Sequence, residues 1–160
     1  MGIEIERKFL VKDNSWLTSD IKCMSIKQGY LSREVQSAIS NQSIVRIRVA
    51  GQKGFITIKG KTFNLSRLEY EYEIPVNDAL EMLQLCKNPL IEKVRYKIDF
   101  MGFEWCIDKF EGDNEGLLIA EIELETEEQE FKKPSWAGKE VSDDPRYFNS
   151  NLSENPFQAW

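Results

Sequence analysis

Glu4-Ile5-Glu6-Arg7-Lys8 opens the first predicted strand, and its alternation of charged and apolar residues indicates the fold. Alternate side chains of a strand share a face, so Glu4, Glu6 and Lys8 point to one side and Ile5 points to the other. Two carboxylates beside one ammonium can hold a divalent cation and contact a phosphate at once. Alternating charges occur on many solvated strands, but here the rest of the chain repeats the pattern.

Composition narrows the classes of function. The 160 residues predict a single domain over 1–160, and the net charge of -6 argues against a general nucleic-acid surface. The chain has no histidine, so imidazole zinc sites and His-based nucleophile systems are excluded, and metal chemistry must use carboxylates, which favour Mg²⁺ or Mn²⁺. Three cysteines without paired spacing fit a reducing compartment. We expect a cytoplasmic protein that binds neither membranes nor nucleic acids.

Eight strands are predicted, and helices are few. The strands are expected at 3–11, 26–33, 43–50, 54–61, 66–75, 92–99, 103–110 and 117–126. Tight turns are expected at 51–54 and 101–102. A helix is expected over 77–87, a short one near 14–22, and helical pieces after Pro134. The fold class is α+β, mainly β.

One face of nearly every strand is densely charged, and the other face is apolar. A solvated surface intersperses both signs of charge, whereas these strands are largely sorted into basic and acidic ones. Neighbouring like charges repel, and an open sheet with this face in water gains nothing from that repulsion. Closure of the eight antiparallel strands into a barrel would explain this sorting of charge, because the charged faces then line a tunnel and the apolar faces meet flanking helices outside.

The ordered motifs resemble the CYTH, or triphosphate tunnel metalloenzyme, family from residue 1 to about 152, and the tail resembles its small bacterial members. The resemblance implies an eight-stranded tunnel that binds a triphosphate group and hydrolyses or cyclises it with a divalent metal. The motifs are Glu4-Ile5-Glu6-Arg7-Lys8, Gln28-Gly29-Tyr30-Leu31, Arg46-Ile47-Arg48, Thr57-Ile58-Lys59, Arg67-Leu68-Glu69-Tyr70-Glu71, Glu92-Lys93-Val94-Arg95-Tyr96, Trp105-Cys106-Ile107-Asp108, Ala120-Glu121-Ile122-Glu123-Leu124, Trp136-Ala137-Gly138-Lys139-Glu140-Val141 and Asp144-Pro145-Arg146-Tyr147-Phe148-Asn149.

The resemblance also implies roles for individual residues. The phosphate-binding positions are Lys8, Arg46, Arg48, Lys59, Lys93, Arg95 and, from the C-terminal region, Lys139. The metal-facing acidic positions are Glu4, Glu6, Asp108, Glu121 and Glu123, with Glu69 and Glu71 as a second pair. Lys8 and Tyr30 are the catalytic candidates, since a lysine paired with a tyrosine could lower the phenol pKa and help to activate water.

The leading hypothesis is hydrolysis of inorganic triphosphate to pyrophosphate and phosphate, with Mg²⁺ or Mn²⁺ as cofactor. An adenylate cyclase, or a thiamine or nucleoside triphosphatase of the same fold, is the nearest alternative. A non-catalytic polyphosphate-binding module and a sheet whose charged face meets a protein partner also stay open. A homodimer is compatible with the resemblance, since family members can dimerise.

Overall fold

The computed structural model describes residues 2–32 and 43–160 and shows a closed antiparallel barrel. Two α-helices and three short 3₁₀ turns accompany the strands in these ranges. The strands are β1 Gly2–Val11, β2 Lys22–Ser32, β3 Ile44–Ala50, β4 Lys53–Lys59, β5 Ser66–Ile74, β6 Ile91–Phe100, β7 Phe103–Phe110, β8 Leu118–Glu123 and β9 Ala137–Glu140. The α-helices are α1 Val76–Leu83 and α2 Asn149–Leu152, and the 3₁₀ turns are Gly112–Asn114, Pro145–Tyr147 and Phe157–Ala159.

Eight of these strands form the ring. Its order is β1, β5, β4, β3, β2, β6, β7 and β8, which pairs again with β1, and every pairing is antiparallel. β1 pairs with β5 over Gly2–Ile5 and with the additional strand β9 at Phe9 and Val11. The predicted eight-stranded barrel, mainly β, is therefore confirmed.

One of the helical predictions, the short helix near 14–22, is wrong. Residues 14–21 form successive turns, because the Asp13 carboxylate accepts hydrogen bonds from the backbone nitrogen and hydroxyl of Ser15 and offers the backbone an alternative to a helix. The tail after Pro134, predicted as helical in pieces, also contains a strand that was not predicted, β9, which forms by pairing with β1. Helical pieces do follow β9, at Pro145–Tyr147 and α2.

The apolar outward faces are covered on two sides. The outer faces of β1, β7 and β8 pack with Trp16, Phe131, Trp136 and Ala137 in a cluster that contains the fully buried Trp105. α1 covers β3 through Ala79 and Leu83, which pack against Ile47. Among the helices of the described ranges, none is long and apolar enough to cross a membrane.

A third cluster fills one end of the barrel. Ile91, Phe110 and Ile119 lie two residues from Lys93, Asp108 and Glu121 and therefore share their inward faces. They pack against the C-terminal part of the chain. The cluster comprises Ile91, Phe110, Leu117, Ile119, Val141, Tyr147 and Leu152. The charged part of the interior is thus bounded by an apolar floor.

Gly54 allows α1 to approach β4 closely. A Cβ at this position would lie 2.7 Å from the Ala79 Cβ and 3.0 Å from the Ile74 carbonyl oxygen. Because backbone blocks one side, we expect Gly54→Ala to lower the free energy of unfolding by about 1–3 kcal/mol, measured by urea denaturation. Gly60→Ala is the matched control, since its nearest neighbour would be the Leu68 Cβ at 3.5 Å. Equal unfolding midpoints for the two variants would contradict this packing.

Candidate functional site

A cavity of about 1040 Å³ occupies the charged interior of the barrel. Its wall is built by alternate residues of the strands, since the period of two turns every second side chain inward. Among the sequence-predicted site residues, it is lined by Glu4, Glu6, Lys8, Tyr30, Arg46, Arg48, Lys59, Glu69, Glu71, Lys93, Arg95, Glu121 and Glu123. The structure therefore brings thirteen of the fifteen predicted residues to one cavity.

The other two predicted residues lie elsewhere. Lys139 is exposed on β9 and is not among the residues that line the cavity. Asp108 is fully buried beneath the wall, where Arg95 reaches both of its oxygens at 2.7 Å and Lys93 reaches Oδ2 at 2.5 Å. Burial opposes ionisation of Asp108, but Arg95 and Lys93 outweigh it, and the pKa of the carboxyl is lowered. With both oxygens held by cations, the geometry favours a role in holding Lys93 and Arg95 over the predicted metal-facing role.

A continuous chain of ion pairs starts at the opening motif. The Lys8 ammonium lies 2.6 Å from a Glu6 oxygen and 2.7 Å from a Glu121 oxygen, and the second Glu121 oxygen lies 2.8 Å from Arg95. Burial disfavours the charge of Lys8, but Glu121 and Glu6 outweigh it and raise its pKa. The register explains the contact, because Lys8 and Glu121 face each other directly on paired strands. These ion pairs link Glu6 and Lys8 of β1 to Arg95, which also binds Asp108.

A second group of ion pairs lies on β4 and β5. The Lys59 ammonium contacts Glu4 at 2.9 Å and Glu69 at 2.6 Å. Arg67, which was not predicted as a site residue, lines the cavity and places Nε 3.2 Å from Glu4. The signal for it was present, since Arg67 alternates with Glu69 on the inward face of β5.

Arg46 lies beside this group, and one of its N–H donors has no hydrogen-bond partner among the described residues. Its guanidinium lies 3.1 Å from Glu71 and donates to the Thr57 hydroxyl at 3.0 Å, while Thr57 donates to the same carboxylate at 2.8 Å. The Arg46 Nε is buried and has no hydrogen-bond partner among the described residues. An unpaired buried donor on a cation is costly unless an anion occupies it. Sequence reasoning did not select Thr57, which alternates with Lys59 on β4.

Two charged side chains of the cavity have no ion-pair partner among the described residues, Arg48 and Glu123. Burial lowers the pKa of Arg48 to about 10, and the nearby Arg46 and Arg95 act in the same direction. Burial raises the pKa of Glu123, and Glu4 and Glu6 add to that rise. The Arg48 guanidinium thus lacks an anion, while the Glu123 carboxylate lacks a cation.

Tyr30 lines the cavity but differs from its predicted state. Its hydroxyl accepts a hydrogen bond from the Gln28 amide at 2.9 Å, whereas Lys8 is held by Glu6 and Glu121. Burial raises the phenol pKa, and the nearby arginines only partly offset it. The predicted lowering by Lys8 is thus not found, and the tyrosine is protonated at neutral pH.

The acidic residues fit a hard cation by their chemistry. Glu4, Glu6 and Glu123 offer carboxylate oxygens, the ligands that Mg²⁺ and Mn²⁺ prefer. Burial raises the pKa of Glu123, and repulsion from Glu4 and Glu6 adds to that rise. Within residues 2–32 and 43–160, no group of three or more acidic or cysteine side chains is already arranged as a metal site. Ion pairs with Lys8 and Lys59 occupy several of these oxygens.

Asp108→Asn tests the buried network. The substitution keeps the shape of the side chain but leaves Lys93 and Arg95 without their shared anion, so we expect the free energy of unfolding to fall by about 3–5 kcal/mol. Glu104→Gln is the matched control on β7, because its pair with Lys97 is exposed and is expected to contribute less than about 1 kcal/mol. Urea denaturation of both variants gives the comparison. Similar losses in the two would show that burial of the Asp108 cluster adds nothing.

Comparisons with known proteins agree with this geometry. A family model described as the CYTH domain matches residues 2–151. An inorganic triphosphatase from Acetivibrio thermocellus is 50% identical over 159 residues, which cover 99% of this chain and 97% of that protein. An inorganic triphosphatase from Nitrosomonas europaea is 34% identical over 155 residues, 94% of this chain and 96% of that protein. A crystal structure of an inorganic triphosphatase aligns with a TM-score of 0.65 and 31% identity, covering 94% of this chain and 93% of the other.

Proposed function

This chain belongs to the CYTH domain family, and from that premise we propose that it hydrolyses inorganic triphosphate to pyrophosphate and phosphate with the help of a divalent cation. The observation that carries the proposal is the pair of uncompensated charges, Arg48 and Glu123, in one cavity. A polyphosphate would supply the missing anion and a cation would supply the missing positive charge. Bound together, they would neutralise both Arg48 and Glu123.

The basic side chains support a linear polyphosphate. Arg46 and Arg48 face the cavity from β3, and guanidinium groups bind phosphate oxygens with two parallel hydrogen bonds. Lys8 lies across the cavity on β1, held in place by two carboxylates. Because these cations are fixed before substrate arrives, their alignment costs little at the moment of reaction.

The divalent cation is proposed to bind at Glu4, Glu6 and Glu123, with Glu121 beside them. When bound, it would supply positive charge that offsets the negative charge developing on the phosphate in the transition state. Glu69 and Glu71 stay candidates for a second cation, although Lys59 and Arg46 hold them now. Rates of hydrolysis in Mg²⁺ and in Mn²⁺ would show which of the two cations is preferred.

The residues of the chain would act mainly by position. Arg46 and Arg48 would hold the phosphates along the wall, and Lys8 would contact oxygens near the acidic residues. A water molecule would attack the terminal phosphorus in line, and the cationic wall would stabilise the departing pyrophosphate. A cytoplasmic location and a homodimer stay predictions.

The test is phosphate release from inorganic triphosphate, with ATP in parallel, in Mg²⁺, Mn²⁺ and EDTA. We expect metal-dependent release from triphosphate in preference to ATP. Glu123→Gln, which removes the uncompensated carboxylate charge, is expected to lower kcat/KM at least about 100-fold, since it removes charge from the proposed metal site.

Glu125→Gln is the matched control, because Glu125 lies two residues further along, is exposed, and is not among the residues that line the cavity. It should retain near-full activity. Cyclic AMP formed from ATP would instead assign a cyclase, and binding of triphosphate without turnover in any metal would assign a binding module. Full activity of Glu123→Gln would reject the proposed acidic site.

Tyr30 is proposed as a hydrogen-bond donor to phosphate or to the attacking water, because its raised pKa keeps the phenol protonated. Tyr30→Phe removes only the hydroxyl, and we expect kcat/KM to fall about tenfold. The pH dependence of kcat/KM between about pH 7 and 9 should not change, since the hydroxyl stays protonated over that range. Loss of a titrating step in this range in Tyr30→Phe would show instead that the tyrosine acts as a base.

A further inference from the structure

Asn149, at the start of α2, reaches the cavity from the C-terminal part of the chain. Its Oδ1 accepts hydrogen bonds from the Lys93 ammonium at 2.8 Å and from the Gln28 amide at 3.3 Å. Gln28 in turn accepts from the Arg48 Nε at 3.1 Å. Two amide side chains, Asn149 and Gln28, therefore connect Lys93 with Arg48.

The orientation of both amides follows from their cationic neighbours. Lys93 and Arg48 can only donate hydrogen bonds, so each must face an amide oxygen. The Gln28 oxygen is thus turned to Arg48, which leaves its nitrogen to donate to Asn149. The Asn149 oxygen is turned to Lys93, and its Nδ2 must point elsewhere. This nitrogen has no hydrogen-bond partner in residues 2–32 and 43–160.

Lys93 itself is poorly accessible. Only 1% of it is exposed, and its ammonium is held by Asp108 and lies 5.3 Å from the centre of the Phe110 ring. A cation that holds the amide oxygen polarises the amide and strengthens its N–H donors. The charge of Lys93 can therefore act on a ligand through Asn149.

We propose that Asn149 is a substrate-binding residue that donates from Nδ2 to a phosphate oxygen and carries the influence of Lys93 and the Gln28–Arg48 pair to it. The inference rests on the proposed function, since it names a further contact to the same triphosphate. A neutral amide is suited to this position. A carboxylate would hold Lys93 equally well but would repel the phosphate and offer no donor.

The test measures triphosphate binding by calorimetry in EDTA and in Ca²⁺, with hydrolysis in Mg²⁺ or Mn²⁺ in parallel. Asn149→Ala is expected to raise the Kd for inorganic triphosphate about tenfold, the effect of losing one hydrogen bond to a charged group. Asn149→Asp should raise it further while keeping thermal stability, because its oxygen still accepts from Lys93. Gln158→Ala is the control, an exposed amide of the same C-terminal region that does not line the cavity.

The outcomes separate the two proposals. An unchanged Kd in Asn149→Ala, even with a lower melting temperature, would leave Asn149 a structural role only and overturn the inference. Wild-type affinity in Asn149→Asp would overturn it as well, as would a wild-type protein that does not bind triphosphate in either condition. Wild-type binding without hydrolysis in any metal would overturn the proposed function, while the Kd values of the variants would still decide the role of Asn149.

Discussion

Closing eight strands into a ring turns every second side chain into one narrow space, and in this chain most of those side chains are charged. Charge taken out of water is costly unless an opposite charge or a hydrogen bond compensates it. Most charges of the interior are compensated by connected ion pairs, such as those from Glu6 through Lys8 and Glu121 to Arg95. Strand register decides which charged side chains pair, and these ion pairs in turn favour that register.

Charge is fully compensated at some positions of the interior and left uncompensated at others. The deepest carboxylate, Asp108, is shared by two cations, whereas Arg48 and Glu123 have no ion-pair partner among the described residues. Arg48 is half-buried, so water screens its unpaired charge only in part, whereas Glu123 is exposed and is screened more strongly. The interior is therefore stable enough to fold yet incompletely neutralised, which favours binding a polyanion together with a cation.

Much of the barrel and its lining could be predicted from the sequence, because the period of two is a property of every strand and needs no tertiary information. The same rule could not tell that Asp108 lies beneath Lys93 and Arg95 rather than at the surface of the cavity, since that depends on the stagger between β6 and β7. β9 was not predicted, because its strand conformation depends on pairing with β1. Asn149 escaped because its contacts cross more than fifty residues of chain.

β1 pairs with three strands that are distant in sequence, at residues 66–69, 119–123 and 137–140, and it carries Glu4, Glu6 and Lys8. Such non-local pairing forms slowly, because the entropy of closing long loops must be overcome before any contact is gained. The strand that closes the ring is thus the strand that completes the site. As long as β1 is unpaired, Glu4 and Glu6, two of the six predicted acidic residues that line the cavity, are not in place, so a ligand that needs them would favour the finished barrel.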